Sequence, residues 1–151
     1  MSNTDLRETN KKIAREFLRL LETMEIEAWA DLWAEDGIQE MPYAPKGIPS
    51  RLVGKTALYN HYKHLPEMFV SMRFPISNIQ TLEDPEWVMV EYTGEIPIKT
   101  GGYYNNRYCT LFRIRDRKIL LAREYFNPLI LTDALGEGFN DTFEPEPTAQ
   151  P

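Results

Sequence analysis

Apolar side chains recur at helical spacing through Leu6, Ile13, Phe17, Leu20, Leu21 and Met24. The stripe predicts an amphipathic helix over residues 6–24, opened by Asp5 and Glu8 in the form of a capping box. Ile26, Trp29, Ala30 and Trp33 repeat it in a second helix until Asp36 and Gly37, an ordinary turn signal, bring it to a stop. One short strand over 37–43 follows. The next stretch carries Pro42, Pro45, Gly47, Pro49 and Gly54, which leaves too few regular backbone donors for a ladder and suits the rim of a pocket. Leu58, His61, Tyr62 and Leu65 then share a face of a third helix over 56–65, which Pro66 disrupts.

From there the pattern changes to β. Residues 72–82, 87–98, 103–114 and 119–127 are rich in β-branched and aromatic side chains, separated by Glu83-Asp84-Pro85, Thr100-Gly101-Gly102 and the basic turn 115–118. Helices first and strands later predict an α+β layer fold, three helices on one face of a bent antiparallel meander. Residues 129–135 suit a short closing helix. The polar, Pro-rich end, with Glu144-Pro145-Glu146-Pro147, reads as a disordered tail over 139–151 behind a single domain over 1–138.

A chain of 151 residues suits one core with room for a pocket. Lys and Arg number 17 against 23 Asp and Glu, so the net charge of -6 leaves no basic surface for nucleic acid or anionic lipid. The short cluster Arg113, Arg115, Arg117 and Lys118 is a solvated turn. No apolar run approaches the ~20 residues of a membrane span, and the start of the chain lacks a signal-peptide pattern, so a cytoplasmic location is expected. Cys109 stands alone. With two histidines at no helical His-x-x-x-His spacing, and no glycine-rich loop between a strand and a helix, neither a metal nor another cofactor is implied.

The element order, together with Gly102-Tyr103-Tyr104-Asn105-Asn106-Arg107, Arg123-Glu124-Tyr125-Phe126-Asn127-Pro128 and Leu58-Tyr59-Asn60-His61, resembles the SnoaL-like branch of the nuclear transport factor two-like superfamily. Within it the chain is most similar to the phenazine biosynthesis A/B proteins, over residues 10–135. The resemblance implies a cone-shaped α+β barrel with its mouth between the helices and the concave face of the sheet, usually assembled as a homodimer. It also implies acid-base work on an apolar ligand, although the superfamily contains noncatalytic binders too. One departure bears on the substrate. Phenazine-type proteins direct an arginine from the second-helix region toward substrate carboxylates, whereas residues 25–33 contain no Lys or Arg.

Glu124 alternates with Leu120, Ala122 and Phe126 on an apolar strand face. A carboxyl there is either a proton-exchanging group with a raised pKa or half of an ion pair with Arg107 or Arg123. The resemblance places His61 beside that glutamate and gives Tyr104 a pocket role; a phenol suits the stabilisation of oxygen charge. Tyr108 shares the strand face of Tyr104, and with Phe126 it is a candidate substrate-binding residue. Trp29 and Trp33 are likewise candidate substrate-binding residues, giving the second-helix wall an aromatic character, unless they simply fill the core between helix and sheet. Asp36 follows the second helix near a position where ketosteroid isomerases use a catalytic aspartate, but Asp36-Gly37 is also an ordinary turn signal, which is the simpler reading.

Glu124 and Tyr104 share a face only if the hairpin at 115–118 has an odd loop or a bulge, since a plain two-residue loop pairs Glu124 with Cys109. Trp87, Met89, Ile119, Leu121 and Tyr125 make the opposite sheet face apolar, which predicts a two-fold interface. The expected activity is cofactor-independent acid-base catalysis in specialised metabolism by Glu124, His61 and Tyr104: an isomerase, cyclase, dehydratase or condensing enzyme. The alternatives are a small-molecule binding protein and a dimerising scaffold.

Overall fold

The computed structural model describes residues 2–136, so the tail expected over 139–151 and the domain boundary at 138 lie outside the described residues. Helix α1 (Asn3–Glu22) starts earlier than the apolar stripe suggests, because Ser2 is its cap and accepts the Asp5 N–H at 3.1 Å. Asp5 therefore sits inside the first turn. The buried face of α1, from Ala14 to Leu21, lies over the sheet, and its start is fixed by Arg7 and Asn10. Arg7 donates to Thr81 Oγ1 at 2.8 Å, and the Asn10 amide donates to the Pro85 carbonyl at 2.9 Å.

The second apolar stripe divides between two elements. Helix α2 (Ile26–Ala30) is short, and Trp33 already opens strand β1 (Trp33–Glu40). Asp36 and Gly37 thus lie inside a strand, which corrects their reading as a helix stop. Strand β2 (Arg51–Val53) follows the proline-rich loop, then helices α3 (Lys55–Tyr62) and α4 (Leu65–Met68). Pro66 sits in the first turn of α4, where its missing N–H costs no helical bond, so it opens a helix instead of only closing one.

Strands β3 (Ile76–Thr81), β4 (Trp87–Thr93), β5 (Arg107–Arg115) and β6 (Lys118–Phe126) form the expected meander, followed by helix α5 (Pro128–Leu135). Residues 94–106, expected as strand on either side of the Gly101-Gly102 turn, carry only isolated bridges such as Pro97 with Tyr103. The six strands are ordered β2-β1-β6-β5-β4-β3 in a curved sheet whose edges β2 and β3 do not join. One pair departs from the antiparallel expectation. β1 and β6 run parallel, which is possible because more than half the chain intervenes as their crossover.

The turn at Asp116 and Arg117 has two residues, both at positive φ (51° and 65°), as a tight hairpin requires. It pairs Arg115 with Lys118 and Ile114 with Ile119, after which the register shifts so that Arg113 faces Leu121. Leu120 is the extra residue. Beyond it Thr110 faces Glu124 and Tyr108 faces Phe126, so the bulge, and not an odd loop, brings Glu124 to the Tyr104 side.

β1 is irregular at the same level: its pairing with β6 jumps from Trp33 opposite Ile119 to Ile38 opposite Leu121. Gly37 lies in this jump, where a Cβ would meet Trp33 Cε3 at 2.8 Å and the Ile119 carbonyl oxygen at 3.0 Å. Trp33 is fully buried and Ile119 presents backbone, so neither can readily move aside. Gly37→Ala is expected to lower stability by about 1–3 kcal/mol through overpacking. Urea denaturation checks this, and a variant as stable as the parent would show that the bulge does not depend on the close approach.

Candidate functional site

A cavity of about 110 Å³ opens between the helices and the inner face of β4, β5 and β6. For scale, an engineered apolar cavity of ~150 Å³ accommodates benzene. Most of the wall is apolar: Leu18 and Leu21 from α1, Leu65 from α4, Phe69, Met72 and Phe74 from the segment before β3, and Leu131 and Leu135 from α5. The polar groups are Glu124, His61 and the phenols of Tyr62, Tyr92, Tyr104 and Tyr108. No lysine or arginine is among these described wall residues.

Strand alternation delivers the sheet members of this group. Val88, Val90 and Tyr92 point inward from β4, Tyr108, Thr110 and Phe112 from β5, and Ala122, Glu124 and Phe126 from the part of β6 beyond the bulge. Tyr92 and Tyr108 face each other across the strands and stack at 4.9 Å, with Phe126 next to Tyr108 at 6.5 Å. Gly94 makes room for this row. A Cβ there would lie 3.0 Å from Cε2 of Tyr108.

Glu124 receives a long hydrogen bond of 3.4 Å from Tyr92 Oη, which also shares a 2.8 Å bond with Thr110 Oγ1. Burial pushes the Glu124 carboxyl up to about 7, and the Tyr92 contact offsets only part of that. The ion-pair alternative does not hold among the described residues. Arg123 turns to the other face and bonds Glu40 at 3.0 Å, while Arg107 is exposed at the far end of β5.

His61 is pushed down to about 4, first by burial and then by the neighbouring His64, so its imidazole is neutral near pH 7. Its ring lies edge-on to Tyr62 at 5.2 Å. Burial raises Tyr104 to about 12 and lifts Tyr62, Tyr92 and Tyr108 well above their ordinary value, so all four phenols keep their protons at neutral pH. Tyr62 in turn donates to Oε1 of the buried Gln39 at 2.7 Å.

The fold therefore brings Glu124, His61, Tyr104, Tyr108 and Phe126 to one cavity. Trp29 and Trp33 are placed elsewhere, which corrects their assignment as substrate-binding residues. They are 0% and 1% exposed and pack with Phe17 in the core on the far side of Tyr62. The reason is that Trp33 belongs to β1 and not to a helix facing the mouth. Asp36 is exposed on β1, away from the cavity wall, and His64 pairs with Glu67 at 3.3 Å on the surface.

Tyr62, Tyr92 and Gln39 are site neighbours that the sequence reading passed over. Tyr92 was signalled by its parity with Val88 and Val90, and Tyr62 by its place next to His61. Gln39 has no comparable signal, because its inward direction depends on the irregularity in β1. Among the described residues no group of three or more His, Cys, Asp or Glu side chains could hold a metal ion. No helix among them is long and apolar enough to cross a membrane.

Comparison with known proteins agrees with this fold. A PhzA/B-like protein of Pseudomonas aeruginosa is 35% identical over 127 residues, covering 83% of this chain and 89% of that protein. YesE of Bacillus subtilis is 33% identical over 132 residues, covering 86% and 89%. The crystal structure of a phenazine biosynthesis-related protein from Pseudomonas aeruginosa superposes with a TM-score of 0.77 at 25% identity, covering 88% of each chain. Residues 14–122 match the SnoaL-like domain, and on the breadth of that match the chain belongs to the SnoaL-like family of the nuclear transport factor two-like superfamily.

Proposed function

We propose that this protein is a cofactor-independent acid-base enzyme acting on an apolar small molecule, in the manner of an isomerase, cyclase, dehydratase or condensing enzyme of specialised metabolism. The observation that carries the reading is Glu124. A carboxyl pushed up to about 7 in an apolar cavity, with no cationic partner among the described residues, is close to half-protonated at neutral pH. It can take a proton from one ligand atom and return it to another with little free-energy difference between its two states. The Tyr104 phenol and the neutral His61 imidazole serve as hydrogen-bond partners to the ligand atom that gains negative charge. Because His61 is held near 4, its part is that of a neutral partner and not of an imidazolium acid.

The outer sheet face supplies the quaternary part of the proposal. Trp87, Met89, Leu111, Leu121 and Tyr125 lie half-buried there beside Arg113 and Arg123, and we assign this face to a two-fold contact with a second copy. Sedimentation at micromolar protein is expected to give a dimer mass. A monomer at every concentration would remove this assignment without affecting the cavity.

Deuterium uptake from solvent, at the carbon beside the carbonyl of small aryl ketones, tests proton exchange without knowledge of the natural substrate. The wild type is expected to speed this uptake, and Glu124→Gln to reduce the enzymatic rate by about 10² to 10⁴ while retaining the fold. Ketone binding with no uptake above buffer would favour a binding protein over an enzyme.

The same variant reports on the energetics. A carboxyl that titrates at 4.5 when unfolded and about 7 when folded binds its proton more tightly in the native state. Stability should therefore fall as pH rises through that window, by about 3 kcal/mol once the folded group is ionised. The expected result is that Glu124→Gln loses this part of the pH dependence between about pH 4.5 and 8. Parallel stability profiles for variant and wild type would show that Glu124 is not desolvated as described.

A further inference from the structure

The Asn106 carboxamide is oriented by backbone groups that leave it no freedom to flip. Its Oδ1 accepts the N–H of Arg107 at 2.7 Å and of Asn127 at 3.1 Å. Its Nδ2 must then point the other way, where it donates to the Asn127 carbonyl at 2.9 Å and to Tyr104 Oη at 3.0 Å. An amide nitrogen donates and does not accept, so Tyr104 Oη is the acceptor in that bond and keeps its own proton for another partner.

Among the described residues the geometry gives Tyr104 Oη one hydrogen bond, the one it accepts from Asn106. Tyr104 Oη is thus the acceptor there, and no described residue is placed to accept the bond it can give. The Tyr104 phenol lines the cavity. A buried donor with no acceptor among its neighbours is directed at whatever occupies the space in front of it.

The charges of the wall restrict that occupant. A ligand carboxylate would find no lysine or arginine there and would lie in the field of Glu124 whenever Glu124 is ionised. We infer that Asn106 is a positioning residue that fixes the Tyr104 phenol as a donor into the cavity, so that the site selects an uncharged ligand through a carbonyl-type acceptor and rejects carboxylates. The inference rests on the reading of this cavity as the ligand site, and it names the substrate class that the acid-base proposal leaves open.

Three probes of one size separate the possibilities: acetophenone, ethylbenzene and benzoate, compared by calorimetry at about pH 6, where benzoate is ionised. Acetophenone is expected to bind about tenfold more tightly than ethylbenzene, as one buried hydrogen bond allows, and benzoate more weakly than either. The bound carbonyl carbon resonance should move downfield in the wild type, and both this shift and the tenfold advantage should vanish in Tyr104→Phe. Benzoate binding as tightly as acetophenone, or a Tyr104→Phe variant that keeps the shift, would overturn the assignment.

For Asn106, substitution to Asp keeps an acceptor for the two backbone N–H groups but gives Tyr104 an acceptor on the wrong side, which draws its proton inward. A folded Asn106→Asp protein that retained the carbonyl shift would refute the positioning role. If that variant does not fold, the Asn106 side-chain amide resonances of the wild type serve instead. Acetophenone should move them in the wild type and not in Tyr104→Phe, and no movement in the wild type refutes the role equally. Carbonyl selectivity without deuterium uptake would sink only the acid-base reading, and uptake without carbonyl selectivity only this one.

Discussion

A β-strand presents alternate side chains to opposite faces, so a single inserted residue exchanges inside for outside along everything beyond it. In the β5–β6 hairpin that residue is Leu120. A two-residue turn continued without the shift would place Glu124 opposite Cys109 on the outer face and turn Arg123 inward. The bulge instead puts Glu124 beside Thr110 and leaves Arg123 outside, bonded to Glu40. It therefore decides the sign of the charge available to a ligand, and the close approach at Gly37 accommodates the matching irregularity in β1.

Once Glu124 is inside, its surroundings follow from what the neighbouring strands place at the same level. Its described hydrogen bond comes from a phenol, Tyr92, and a neutral donor stabilises a carboxylate less than a charged one does. The remaining cost is desolvation, which the folded chain carries as a raised proton affinity and lowered stability at high pH. Burial of a carboxyl without a cation is unfavourable for folding, and such unfavourable placements concentrate where a group has chemistry to perform. The core around Phe17, Trp29, Trp33 and Phe112, all at most 1% exposed, supplies the apolar burial that sustains it.

The parts of this arrangement that were legible in the sequence are those that depend on periodicity within one element. The inward parity of Glu124 relative to Phe126, and the face of α3 that carries His61, are properties of a strand and a helix taken alone. The placement of Trp33 was not legible, because its spacing from Trp29 satisfies a helical stripe and only the pairing of β1 with β6 shows it to be strand. Asp36-Gly37 was misread for a related reason: the dipeptide that favours a turn in isolation also suits a bulge, and the choice is made by a partner strand about eighty residues away. The amide of Asn106 was invisible as a positioning group, since its orientation is dictated by the backbone N–H of Arg107 and the backbone of Asn127.

The two titratable groups of the cavity complete the electrostatic logic. In water an imidazole holds its proton to a higher pH than a carboxyl does, so a histidine and a glutamate placed together would normally form an ion pair. Here the order is inverted. Burial raises Glu124 to about 7 and lowers His61 to about 4, so a proton entering the site resides on the carboxyl and leaves the imidazole neutral. While Glu124 holds that proton both groups are uncharged and do not attract water or counterions as an ion pair would, so the cavity remains apolar up to the point where the ligand meets Glu124. The same inversion separates the functions by residue: the carboxyl is the group whose protonation changes near neutral pH, while His61 and the four phenols retain one protonation state and can act only through hydrogen bonds.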